Sequence, residues 1–154
     1  MPNTTAPHAT NLRRGRFSEF GRTCLITTAT HERRPIFRNF RAGRLLVNEM
    51  RLSEQNNLVE SLAWVIMPDH LHWLLVLRDG SLANLLKRIK ARSIQAINRE
   101  LHWRGQLWQR GYHDRAMRRN DDLQAMARYI VANPLRAGIS SRLADYPLWD
   151  AVWL

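Results

Sequence analysis

Residues 64–77 read WVIMPDHLHWLLVL, and the reading of this stretch decides the fold. Two apolar runs rich in Val, Ile, Leu and Trp flank Pro68-Asp69, a turn signal, so the segment predicts a β-hairpin. The second run opens on His70-Leu71-His72. Side chains alternate along a strand, which puts His70 and His72 on one face and Leu71 on the other. Two imidazoles held two residues apart by a rigid strand form half of a metal site. A pair of half-buried strand histidines is the plainer alternative. Leu74 and Val76 continue the histidine face as apolar side chains, so another element must cover that face beyond the histidines.

The flanking chain supplies the partners for this hairpin. Residues 22–30 (RTCLITTAT) are rich in β-branched side chains and predict a strand, followed by a loop over 31–35. Over 39–56, Phe40, Leu45, Leu46, Met50 and Leu52 recur near helical spacing, an amphipathic helix that Asn56-Asn57 closes. A second strand starts near Leu58 and runs into Met67. Asp79-Gly80 stops the third strand, and Ser81 is a suitable N-cap for a helix over 82–100. That helix has Leu82, Leu85, Leu86, Ile89, Ile94 and Ile97 on one side and Lys87, Arg88, Lys90, Arg92 and Arg99 on the other. A solvated face is the ordinary meaning of such a charge run, but charge of nearly one sign also suits a surface that tracks phosphates.

Residues 103–118 (WRGQLWQRGYHDRAMR) interleave aromatics with arginines and predict a fourth strand over about 107–117. Such aromatics can stack unpaired bases or serve as edge-strand core. The last helix spans 121–133, with Asn120 as N-cap and Leu123, Met126, Ala127 and Ile130 as its apolar stripe; Pro134 ends it. Tyr129 and Asn133, four residues apart, share a helical face. Residues 135–154 read as a short closing segment packing Trp149 and Trp153. The fold class is α+β, with element order β-α-β-β-α-β and an added C-terminal helix. Residues 1–12 are small and polar and predict a disordered tail, leaving 13–154 as one domain that begins with a basic arm, Arg13, Arg14 and Arg16.

Composition bounds the function. The chain has 154 residues, enough to bury a core, and 45% of them are apolar, with no run of membrane-spanning length. The first residues show no apolar secretory region. A single cysteine, Cys24, excludes an internal disulfide and a cysteine-based zinc site, so a cytoplasmic protein is expected. Lys and Arg number 24 against 13 Asp and Glu, a net charge of +11. Only Lys87 and Lys90 are lysines. Arginine's planar fork suits phosphates and base edges, so a polyanionic partner, nucleic acid first, is expected. A GC-rich genome would explain the choice of arginine but not the excess of cations.

His70-Leu71-His72 behind Met67-Pro68-Asp69, then Leu107-Trp108-Gln109, then Tyr129-Ile130-Val131-Ala132-Asn133-Pro134 with Gly138 resemble the motifs of the single-tyrosine HUH transposases. More specifically, they resemble those of the REP-associated tyrosine transposases of bacteria. Each motif alone is weak; all of them in this order, in a small and strongly basic protein, are specific. The resemblance runs from the first strand to about Trp149. It implies a ferredoxin-like antiparallel sheet carrying the histidines, with the tyrosine on a separate helix. It implies that His70 and His72 bind a divalent metal, Mg²⁺ or Mn²⁺, with Asn133 where relatives place a third ligand; imidazole donors favour Mn²⁺.

By the same resemblance, Tyr129 attacks phosphorus, forming a 5′-phosphotyrosine intermediate and releasing a 3′-hydroxyl, a step an incoming 3′-hydroxyl reverses. A free tyrosine has a pKa of about 10, so metal proximity or a base must assist; Asp69 and His113 are candidates, though Asp69 also suits the turn and His113 a strand. The implied substrate is single-stranded DNA bearing a hairpin. Its candidate contacts are Arg13, Arg14 and Arg16, then Lys87, Arg88, Lys90 and Arg92, then Trp108, Arg110, His113 and Arg115 in the 104–119 region. Neither a membrane nor an obligatory protein partner is implied, and monomer and homodimer both remain open. A non-catalytic ferredoxin-like nucleic-acid-binding module would explain the charge and aromatics but leave His70, His72, Tyr129 and Asn133 without a role. A water-using metal hydrolase would need no Tyr129.

Overall fold

The computed structural model describes residues 22–118 and 121–153. The expected tail, the Arg13, Arg14 and Arg16 arm, and Asn120 lie outside the described residues. The elements are β1 (Thr23–Ala29), α1 (Phe40–Gln55), β2 (Val59–Met67), β3 (His70–Leu77), α2 (Leu82–Leu101), β4 (His113–Ala116), α3 (Leu123–Val131), α4 (Asn133–Arg136) and β5 (Trp149–Ala151). The strands form one sheet in the order β4-β1-β3-β2-β5, every neighbouring pair antiparallel. The first four strands make the expected ferredoxin-like arrangement, α+β, in which β3 separates β1 from β2. No helix among the described residues is long and apolar enough to cross a membrane.

The hairpin of residues 64–77 forms as read. Met67 pairs with His70 across a two-residue turn at Pro68 and Asp69. The turn is pinned from outside: the Phe37 N–H donates to the Pro68 carbonyl and the Thr30 N–H to that of Asp69, each at 2.9 Å. These bonds rigidify the tip of the hairpin beside the histidines. One face of the sheet presents Ile26, Ile66, Leu71, Trp73, Leu75 and Leu77 to α1 and α2, whose Leu46, Met50, Leu82, Leu86 and Ile89 complete that core. Trp73 is fully buried and donates its indole N–H to the Ser61 hydroxyl at 2.9 Å. The opposite face, with Val65, Met67, Leu74 and Val76, is covered by Ala127, Ile130 and Val131 of α3. So β2 and β3 are buried on both faces, which is why their sequences read as continuous apolar runs rather than alternating ones. The cover required over Leu74 and Val76 is α3.

Four local expectations are corrected. The fourth strand covers only His113–Ala116, not 107–117. Ahead of it the Lys90 ammonium takes the carbonyls of Gln109 and Gly111, and Trp108 makes a single bridge to Thr30. The closing segment contains a fifth strand, β5, which pairs with β2 over Ala63–Val65. Asp122, not Asn120, caps α3, accepting from the Ala125 N–H at 2.9 Å. Finally, α3 stops at Val131 and Pro134 does not end it; Pro134 sits in the first turn of α4, where a missing N–H costs nothing. The end of α4 is closed by Gly138 at φ +74°: its N–H donates to Leu135 and that of Ile139 to Pro134.

Candidate functional site

His70 and His72 lie on one face of β3, as the alternation requires, with ring centroids 4.7 Å apart and planes at 86°. Antiparallel register sets their neighbours. Ala29 and Met67 flank His70, and Thr27 and Val65 flank His72. Each ring is oriented through Nδ1. His70 Nδ1 lies 2.7 Å from an Asp69 carboxylate oxygen, and the other oxygen accepts from Arg33 Nε at 2.9 Å. His72 Nδ1 shares a 2.9 Å hydrogen bond with the Thr27 hydroxyl. With both Nδ1 atoms engaged, Nε2 is the nitrogen each ring has left for a ligand.

Electrostatics suit the same use. Burial pushes the His72 pKa down to about 4, and the neighbouring positive charges of His70, Arg136 and Arg33 push the same way. At pH 7 the ring is neutral, which is the form that binds metal. Burial alone would raise the Asp69 pKa, but hydrogen bonds from Arg33 and His70 outweigh it and hold the carboxyl below its usual range. Asp69 thus keeps its charge against His70. Arg33 is delivered by an unusual backbone: Glu32 and Arg33 are consecutive non-glycine residues at φ +55° and +54°. This turn brings the Arg33 guanidinium to Asp69, with Nε 2.9 Å from the carboxylate.

The donor set fits a divalent cation only in part. Among the described residues there is no group of three or more His, Cys, Asp or Glu able to hold a metal ion. Among the described residues His70 and His72 therefore account for two imidazole donors, and a further donor from these residues would be a neutral oxygen. Asn133, half-buried at the start of α4, carries such an oxygen. It opens α4, separated from the end of α3 by Ala132 alone. Tyr129 itself is on α3, which packs on the histidine face, and is 61% exposed. The Arg136 guanidinium lies 3.9 Å above its ring centroid.

The expected DNA-contact residues divide by layer. Thr27 pairs with both His72 and His113, so His113 stands on the histidine face two strand spacings, about 10 Å, from His72. Leu25 pairs with Arg115, which is exposed on that face one pleat away. By contrast α2 packs on the opposite face of the sheet, carrying Lys87 and Arg88 with it. Lys90 is engaged by backbone carbonyls, and Arg92 Nε pairs with Glu49 of α1 at 2.7 Å. Trp108 is 5% exposed; it donates its indole N–H to Ser93 and packs on Phe37 with centroids 5.5 Å apart. It is a core residue and not a stacking platform. Arg110 is exposed. The sequence reading did not single out Thr27, Arg33 or Arg136. Alternation along β1 points to Thr27, but no local pattern points to Arg33 or to Arg136.

Residues 23–133 match the family model described as "Transposase IS200 like". A curated REP-associated tyrosine transposase of Escherichia coli (strain K12) is 28% identical over 87 residues, 55% of this chain and 50% of that protein. The chain thus aligns with half the length of that relative. A solved structure of a REP-associated tyrosine transposase bound to a REP hairpin superposes with a TM-score of 0.74, covering 87% of this chain and 79% of that one at 23% identity. A second solved structure, from Deinococcus radiodurans, superposes with a TM-score of 0.53, covering 79% of this chain and 96% of that one at 22% identity. At these identities the two structures establish the fold.

Proposed function

Because this chain belongs to the family of IS200-like transposases, we propose that it cleaves and rejoins single-stranded DNA bearing a REP-like hairpin, with Tyr129 as nucleophile. The observation that carries the proposal is the meeting on one sheet face of the paired His70 and His72, both held by Nδ1, and the helix bearing an exposed Tyr129.

The residues divide the work. Tyr129 Oη attacks the scissile phosphorus; a bond forms between Oη and phosphorus, the bond to the 3′-oxygen breaks, and the phenol proton ends on the released 3′-hydroxyl. The 5′-phosphotyrosine conserves the bond, so strand transfer to another 3′-hydroxyl needs no ATP. His70 and His72, and Asn133 as a neutral oxygen donor, would hold a divalent cation, Mg²⁺ or Mn²⁺. Bound there, it would supply charge neutralisation at the phosphate oxygens. Asp69 and Thr27 fix the orientation of the two imidazoles. His113 and Arg115 extend the same face and would contact DNA beyond the histidines.

Incubating the protein with an end-labelled hairpin oligonucleotide and Mn²⁺, then separating the products on a denaturing gel, tests this reading. The expected result is a covalent protein–DNA adduct, absent from Tyr129→Phe and absent with EDTA. Cleavage that survives Tyr129→Phe would assign the site to a water-using hydrolase. Hairpin binding without an adduct would assign the chain to the non-catalytic binding modules.

A further inference from the structure

The contact between Arg136 and Tyr129 has its origin in the helix break. In one continuous helix these residues would stand two turns apart, about 10.5 Å along the axis. Here α3 stops at Val131, α4 restarts with Pro134 in its first turn, and Arg136 is the last residue of α4. Gly138, left-handed at φ +74°, then closes the turn and fixes that end. The outcome is a guanidinium 3.9 Å above the Tyr129 ring. Both residues are exposed, and Arg136 makes no ion pair among the described residues. A guanidinium on a ring face holds the ring by cation–π attraction and retains N–H donors for an anion. Its charge also reaches His72, so the guanidinium neighbours both the Tyr129 ring and one of the paired histidines.

We propose that Arg136 is a catalytic residue that both seats the Tyr129 ring and donates hydrogen bonds to the non-bridging oxygens of the scissile phosphate. The assignment rests on the tyrosine-transposase reading. Nothing is oxidised or reduced in the step. As the new Oη–phosphorus bond forms and the 3′-oxygen leaves with a proton, the negative charge stays on the non-bridging oxygens, where the arginine meets it. Lysine in its place would keep the charge but lose the flat, forked geometry.

Two measurements test it together. The chain has three tyrosines, Tyr112, Tyr129 and Tyr146, so ring-¹³C-labelled protein gives a spectrum that Tyr129→Phe assigns. Arg136→Ala is expected to shift the Tyr129 ring signals and leave the other two in place. In single-turnover assays with the labelled hairpin and Mn²⁺, Arg136→Ala is expected to slow adduct formation about 100-fold. Hairpin Kd should change by less than about threefold, because one phosphate contact among many contributes little to binding. Arg136→Lys should recover part of the rate. Arg136→Gln serves as a second variant if the alanine protein does not fold. Unchanged Tyr129 signals, an unchanged rate, or a loss confined to Kd overturns the assignment while the wild-type adduct still stands. Absence of the wild-type adduct overturns both the transposase reading and this role.

Discussion

The Asp69 carboxylate reaches from the hairpin turn to His70 Nδ1, at 2.7 Å, while its second oxygen is held by Arg33. A carboxylate in this position fixes the ring and makes Nε2 a better donor. Asp69→Ala should therefore weaken Mn²⁺ binding by about 10- to 100-fold, read by isothermal titration with the apo protein. Asp69→Asn, which keeps an acceptor but not the charge, should fall between. An alanine variant with wild-type affinity would reduce Asp69 to turn chemistry.

His72 predicts the pH dependence of folding. Its pKa is about 4 in the folded protein against 6.5 for the free side chain, the unfolded reference. The unfolded chain thus takes up the proton first as pH falls, so stability rises with pH across this window. The contribution is fully present above about pH 6.5 and is lost as the pH drops toward 4. Thermal midpoints measured between pH 7 and 4.5 should decline, and His72→Asn should flatten that decline. Asp69, whose pKa is lowered from 3.8, acts below this window and does not blur it.

Trp108 separates core from surface. Buried between Ser93 and Phe37, it should cost about 3–5 kcal/mol of stability when changed to Ala, measured by urea unfolding. Trp108→Phe should cost less. Hairpin affinity per folded molecule should not change, and a specific loss of binding in a stable Trp108→Phe protein would restore it as a base-stacking residue.

The two layers of the sheet predict different salt responses. Arg115 is exposed on the histidine face, whereas Lys87 and Arg88 belong to the helix packed on the other. Arg115→Gln should lower hairpin affinity and reduce the slope of log K against log salt by about 0.7, the single-strand value for one phosphate contact. Lys87→Gln with Arg88→Gln should leave the slope near wild type. The reverse result would place the DNA path over α2.

What the sequence determined by itself was local and periodic. The pairing of His70 and His72 on one face follows from the two-residue repeat of a strand, and α1, α2 and α3 follow from the apolar stripe of a 3.6-residue turn. The burial of the histidine face beyond His72 was also visible, as the cover demanded over Leu74 and Val76. The family followed from motifs in order along the chain. Tertiary structure decided the rest, because those choices depend on register between distant segments. Arg33 meets Asp69 across 36 positions and Thr27 meets His72 across 45. Lys90 and Arg92 looked like free cations until packing set carbonyls and Glu49 beside them. Pro134 reads as a stop in any local window, yet the structure uses it to start α4 and so brings Arg136 over Tyr129. A short-range pattern encodes the face on which a side chain lies; only the assembled sheet and helices supply the partner that waits there.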